Sequence, residues 1–212
     1  MSGSTVLAPA SEARTGRFRG TIAGLGSASG IRIVVGCWQE SPYGEFADVM
    51  LAQVDGTRRL LAPTEEIAAF VADTYAFDVV EVVPVTVHRT GPAVSVEAGE
   101  LEVSYDVGRR TPLGRALRLV PDRLATSPGW CRVTDPVARV VMRGVRTRGS
   151  AKAGRVETYG ATDHHAVDAI RGTWRGRDLG GLGPVLPEPG FGFGSTPPGP
   201  SVTTLVTTVS LA

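Results

Sequence analysis

The chain has 212 residues, with 22 Lys plus Arg against 21 Asp plus Glu, a net charge of +1, 42% hydrophobic residues and a mean hydropathy of +0.05. Such a composition fits one soluble globular domain with a substantial core. It supplies no sustained electrostatic field for nucleic acid or a membrane surface, and no apolar run nears the roughly 18 residues of a membrane span.

Met1 to Gly16 is rich in Ser, Ala, Thr and Gly and lacks the basic start of a secretory signal, so residues 1–16 are expected to form a flexible arm. Cys37 and Cys131 are too few for a disulfide scaffold and lack metal-knuckle spacing. They read as reduced, buried thiols in a cytoplasmic protein.

From Arg17 onward, apolar runs are interrupted by glycine. Phe18 to Ile22, Ile31 to Val35 and Phe46 to Val54 read as strands, with polar Asp48 and Gln53 interspersed in the third. Asp55-Gly56 predicts a tight turn into a fourth strand, Arg58 to Ala62. Thr64 then suits a helix N-cap, Glu65 and Glu66 suit the first turn, and Ile67, Phe70, Val71 and Thr74 recur on one helical face. Phe77 to His88 returns to strand character interrupted at Pro84, and Leu101 to Val107 alternates as a half-buried strand does.

Thr111 to Leu124 reads as a short helix or irregular loop stopped at Pro121. Val137 to Arg148 and Arg155 to Gly160 read as a hairpin with Lys152, the only lysine in the chain, at its glycine-flanked tip. Residues 179–200 are dense in Gly and Pro and read as a long loop, in which Phe191 and Phe193 are candidates to cover a cavity. Val202 to Leu211 reads as a terminal strand, so 201–212 forms a last element behind a β domain spanning 17–178.

The run Ser41-Pro42-Tyr43-Gly44-Glu45-Phe46 places a carboxylate and a phenol at the start of an apolar strand. A carboxylate among apolar neighbours loses hydration in its charged form, which raises its pKa into the range useful for proton transfer. Glu45 is thus the first candidate acid or base, with Tyr43 beside it. Arg32 lies within an apolar strand, where an inward charge needs a partner, and is a candidate anchor for an anionic group.

That run, the strand after it, the Glu65 to Tyr75 helix and the segment Thr74-Tyr75-Ala76-Phe77-Asp78 resemble the core of the acetoacetate decarboxylase-like superfamily. By order of elements the resemblance extends over roughly residues 20–174. It implies a mainly β (α+β) fold, a closed cone-like β-barrel around an apolar cavity, with one or two short helices packed on it and often an oligomeric assembly. It also implies a cavity carboxylate at Glu45 and substrate-binding aromatic walls at Trp38, Tyr75 and Phe77.

In the decarboxylase itself, two adjacent lysines after a glycine-aromatic-proline run make a Schiff base with a β-keto acid. Here the comparable stretch is Tyr75-Ala76-Phe77-Asp78-Val79, which carries no amine. The expectation is a cofactor-independent enzyme acting on an apolar carbonyl or polyketide-like substrate by lyase, dehydratase or cyclase chemistry, with Glu45, Tyr43 and Asp78 as the catalytic set. A barrel that only binds a hydrophobic ligand, or a cavity that templates a pericyclic ring closure, uses the same architecture. No metal is expected, because the adjacent His164 and His165 point to opposite sides of a strand.

Overall fold

The computed structural model describes residues 16–121, 125, 148–150, 155–192 and 197–211. The strands are β1 (Gly16–Ser27), β2 (Arg32–Glu40), β3 (Phe46–Ala52), β4 (Arg58–Ala62), β5 (Val79–Val82), β6 (Val85–Thr90), β7 (Ala93–Ala98) and β8 (Leu101–Arg110). They continue with β9 (Arg148–Ser150), β10 (Arg155–Trp174), β11 (Arg177–Asp178), β12 (Leu182–Gly183) and β13 (Ser201–Leu211). Two helices, α1 (Glu65–Thr74) and α2 (Pro112–Leu117), interrupt them.

All these strands join one curled sheet, whose main path runs β5-β4-β3-β2-β1-β13-β10-β8-β7-β6. Among the described residues the fold is therefore mainly β, a strongly curled half-barrel sheet with two short helices, as the resemblance implies. The terminal strand lies between β1 and β10, so both ends of the described chain meet at the middle of the sheet. Residues 137–147 of the expected hairpin, Lys152 at its tip, Cys131 and Phe193 lie outside the described residues.

The curl buries the first strands on both faces. On one, Leu25, Ile33, Val35, Val49 and Leu51 pack against residues of β7, β8 and the end of β10, among them Val96, Val103 and Ile170. On the other, Phe18, Phe46, Leu60 and Ala62 pack beneath α1 through Ile67, Ala68 and Val71. Thr64 starts that helix by accepting a hydrogen bond from the Ile67 backbone N–H, and Glu65 and Glu66 occupy the first turn. Burial of this apolar stripe holds a helix too short to persist alone.

A polar cluster joins the two ends of the curl. The Trp174 ring, 4% exposed, donates its indole N–H to Gln53 Oε1 at 3.1 Å. The guanidinium groups of Arg59 and Arg175 lie 5.8 and 5.1 Å from its centre, within the range of cation–π attraction. Arg59 pairs with Glu81, and Arg175 pairs with Glu100 at 2.8 Å. Residues of β4, β5, the β3–β4 turn and the β7–β8 turn thus converge on one indole at the end of β10.

Truncating that ring opens a cavity and unpairs Gln53 together. Trp174→Ala is expected to cost about 3–5 kcal/mol in guanidinium unfolding, whereas truncation of the exposed Arg177 should stay within about 0.5 kcal/mol.

Candidate functional site

The sheet face under α1 carries the site. Cross-strand pairing sets Gly36 opposite Asp48 and Trp38 opposite Phe46, while Phe18 pairs with Thr207 and Tyr159 with the same Thr207. Directly paired residues share a face, so one surface presents Phe18, Trp38, Phe46, Asp48, Tyr159 and Thr207. The helix lays Phe70 and Val71 over it, and Tyr75 at the helix end reaches across to Tyr159, with 2.5 Å between the phenolic oxygens.

Between helix and sheet lies a cavity of about 50 Å³, walled by Ile22, Val34, Met50, Phe70 and Val71 and by the aromatic rings of Trp38 and Tyr75. At about 10–15 Å³ per water, it has room for about three to five small molecules of that size, or for the reacting end of a substrate.

Its polar lining is Asp48 and Thr207, 2% and 4% exposed. The Trp38 indole N–H donates to Asp48 Oδ1 at 3.1 Å, and the carboxyl occupies the space that a side chain on Gly36 would fill. Asp48 Oδ2 and Thr207 Oγ1 are both buried and have no hydrogen-bond partner. Burial pushes the Asp48 carboxyl up to about 7, with the Trp38 hydrogen bond pulling the other way. Beside it, Cys37 is pushed up to about 12 by its own burial and by the Asp48 charge, so it remains a protonated thiol.

Two of the seven residues expected at the site, Trp38 and Tyr75, line this cavity; Glu45, Tyr43, Asp78, Arg32 and Phe77 do not. Glu45 is exposed, because Ser41-Pro42-Tyr43-Gly44 closes a turn with Gly44 at φ +81° and a Gly44 N–H to Ser41 O bond of 3.1 Å. The residue leaving that turn points to solvent before the strand begins. Tyr43 instead packs on Phe70, Phe18 and Phe46.

Asp78 is exposed and bound by Arg58, which reaches it through its backbone N–H and two guanidinium nitrogens at 2.8 to 3.1 Å. Those hydrogen bonds hold its carboxyl down at about 2. A carboxylate so held joins the starts of β4 and β5 and is a poor proton carrier. Arg32 is buried and donates to the Gly30 carbonyl, while Phe77 packs on Phe191. The expected pair of facing carboxylates is therefore replaced by one, Asp48.

The two histidines take separate partners. His164 is buried with Nδ1 2.8 Å from Thr111 Oγ1, and burial, with His165 adjacent, holds its pKa below the usual range. The Nδ1 of His165 lies 3.0 Å from the Gly108 carbonyl. No group of three His, Cys, Asp or Glu among the described residues is placed to hold a metal. A larger opening of about 590 Å³, toward the opposite end of β2, contains Trp174, Asp55 and Asp178. Three of its polar groups are engaged: Trp174 with Gln53, Asp55 with the Thr57 N–H and Asp178 with the Gly180 N–H.

No protein-family profile matches the chain, and no curated protein matches it. Among solved structures, it is similar to an acetoacetate decarboxylase of Legionella pneumophila at 8% identity and a TM-score of 0.38, over 100% of this chain and 96% of that one. It is also similar to an AttH-type protein of Nitrosomonas europaea at 12% identity and a TM-score of 0.36. The chain spans 58% of the length of that second protein.

A carboxyl whose pKa rises from 3.8 in the open chain to about 7 on folding favours the folded state when protonated. Its contribution is complete below about pH 4 and is lost as pH rises through about 7, on the order of 4 kcal/mol in all. Asp48→Asn should therefore flatten the stability profile over this window and raise the melting temperature relative to the parent at pH 8, as read by calorimetry across a pH series.

Proposed function

We propose that the chain is a cofactor-independent acid/base enzyme of small-molecule metabolism, acting on the carbonyl end of a small substrate. The observation that carries this reading is Asp48, a buried carboxyl on the wall of an apolar cavity with one oxygen fixed by Trp38 and the other unpartnered. Perturbed carboxyls of this kind mark proton-transfer sites, and a group titrating near 7 is present in both of its forms at neutral pH.

One carboxyl suffices for loss of water from a β-hydroxy carbonyl compound. The Asp48 carboxylate takes the proton from the carbon between carbonyl and hydroxyl-bearing carbon, and the released pair forms the C=C bond as the C–O bond breaks. The departing hydroxyl takes that proton from the new carboxylic acid and leaves as water, which restores the carboxylate. Trp38 keeps Oδ1 in place, so that Oδ2 is the atom that gives and receives the proton. Enolisation and ring closure of a carbonyl compound use the same first step.

The Tyr75 to Val79 segment supplies no lysine for a Schiff-base route. Binding without chemistry is the competing reading, and its mark is a ligand recovered unchanged.

The test is a set of short β-hydroxy ketones followed by NMR for formation of the enone. Asp48→Asn should reduce turnover by about 10²-fold or more, while Glu45→Gln and Asp78→Asn should stay close to the parent. Full activity in Asp48→Asn removes the carboxyl from the mechanism, and a ligand that binds but is never converted supports the binding module.

A further inference from the structure

We propose that the cavity under α1 is a binding site for a small organic cation, an alkylammonium ion that donates a hydrogen bond to the unpartnered Oδ2 of Asp48. Such an ion binds whether or not Asp48 moves a proton in catalysis, so the site extends beyond the acid/base reading of the same carboxyl.

Asp48 is 2% exposed and lies on the cavity wall. Its Oδ1 accepts the Trp38 indole N–H at 3.1 Å, whereas Oδ2 is buried with no hydrogen-bond partner. Among the thirteen residues that line the cavity none is basic, and no cation contributes to the protonation of Asp48, which is set by burial and the Trp38 hydrogen bond. Arg32, on the neighbouring strand β2, is turned to the Gly30 carbonyl and does not line the cavity. The fold therefore holds a buried carboxyl whose ionised form lacks a counter-ion.

Folding has already stripped this carboxyl of water, so an incoming ammonium ion loses only its own hydration and gains a hydrogen bond between two charged groups. A neutral alcohol can donate to the same oxygen but leaves the charge unbalanced. A carboxylate would add a second negative charge in a place without solvent. The walls agree with this order, because five of the thirteen lining residues are aromatic, Phe18, Trp38, Phe46, Phe70 and Tyr75, and aromatic rings attract cations where aliphatic walls do not. A volume of about 50 Å³ restricts the ion to a few heavy atoms.

Few ionisable groups surround the carboxyl. On β2 the adjacent Cys37 remains a protonated thiol. From α1 and its end come Phe70, Val71 and Tyr75, the last with its phenol held to Tyr159, while β1 and β13 supply Phe18, Ile22, Thr207 and Val209. Asp48 is thus the one carboxyl that the ligand meets. A cation binds its ionised form, and the ionised fraction falls as pH drops below about 7. Affinity is therefore greatest above pH 7 and declines about tenfold for each pH unit below it.

Propylammonium, propan-1-ol and propanoate are similar in size and differ in charge. The Trp38 indole N–H resonance reports on them, because that hydrogen lies on Asp48 Oδ1. At pH 8 propylammonium should shift it with an affinity about tenfold or more above that of propan-1-ol, with propanoate weaker than either. The preference should disappear between pH 8 and pH 5 in the parent protein, a measurement that needs no variant. Asp48→Asn, which keeps the shape and an oxygen for Trp38, should bring propylammonium to the level of propan-1-ol at every pH.

Equal binding of propylammonium and propan-1-ol at pH 8 overturns the proposal, as does a preference that persists at pH 5 or in Asp48→Asn, or no response to any probe at tens of millimolar. The enzymatic reading is decided separately. Turnover lost in Asp48→Asn without ammonium binding removes the cation site and leaves the proton carrier, whereas ammonium binding by a protein that converts no hydroxy ketone supports the cation site alone.

Discussion

The sheet formed by β1, β2 and β3 is covered on both faces, by the β6–β8 side of the curl on one and by α1 on the other. A strand in that position has no side turned to water, so any polar group on it must find a partner within the protein or bear the cost of burial. Gln53 and Trp174 satisfy each other, as do Trp38 and half of Asp48. Of the five buried side-chain atoms left unmet among the described residues, two, Asp48 Oδ2 and Thr207 Oγ1, lie on residues that line the cavity between helix and sheet. The cavity lies where helix and sheet do not fully close on each other.

The same constraint explains why the two expected carboxylates lie away from the cavity. Glu45 and Asp78 stand at strand entrances, where the backbone emerges from turns into solvent. One is left exposed and the other is tied to Arg58 across the parallel β4–β5 pair. The carboxyl that faces the cavity is instead Asp48, in the interior of a strand, where desolvation is greatest.

Most of the fold is legible from residue pattern. Apolar runs bounded by glycine locate β1 to β4, and the Thr64 cap with its acidic first turn locates α1. β7 escapes such a reading because Ala93, Ser95 and Ala98 carry weak strand preference, although Val94 and Val96 alternate inward. The length of β10 escapes it because Asp163, His164 and His165 interrupt the apolar pattern, and α2 and Arg110 satisfy those groups only in space. For the site, a local signal exists in the strand itself. Asp48 shares a strand face with Phe46 and Met50, so period-two alternation puts a carboxylate among large apolar side chains. Adjacency along the chain favours Glu45 instead, which lies outside the cavity. Thr207 has no such signal, because only the pairing of β13 with β1 brings it to the cavity.

Gly36 contributes to the site by what it lacks. A β-carbon there would stand 2.5 Å from Asp48 Oδ1 and 2.9 Å from the Trp38 indole nitrogen, so the missing side chain is the volume into which this hydrogen bond fits. Three positions are thereby tied together through shared space. A lineage that gave up the carboxyl would free position 36 to acquire bulk, and once bulk had settled there the acid could not return by a single substitution. The Asp48 carboxyl is thus guarded by a residue that has no chemistry of its own, and its loss would tend to be one-way.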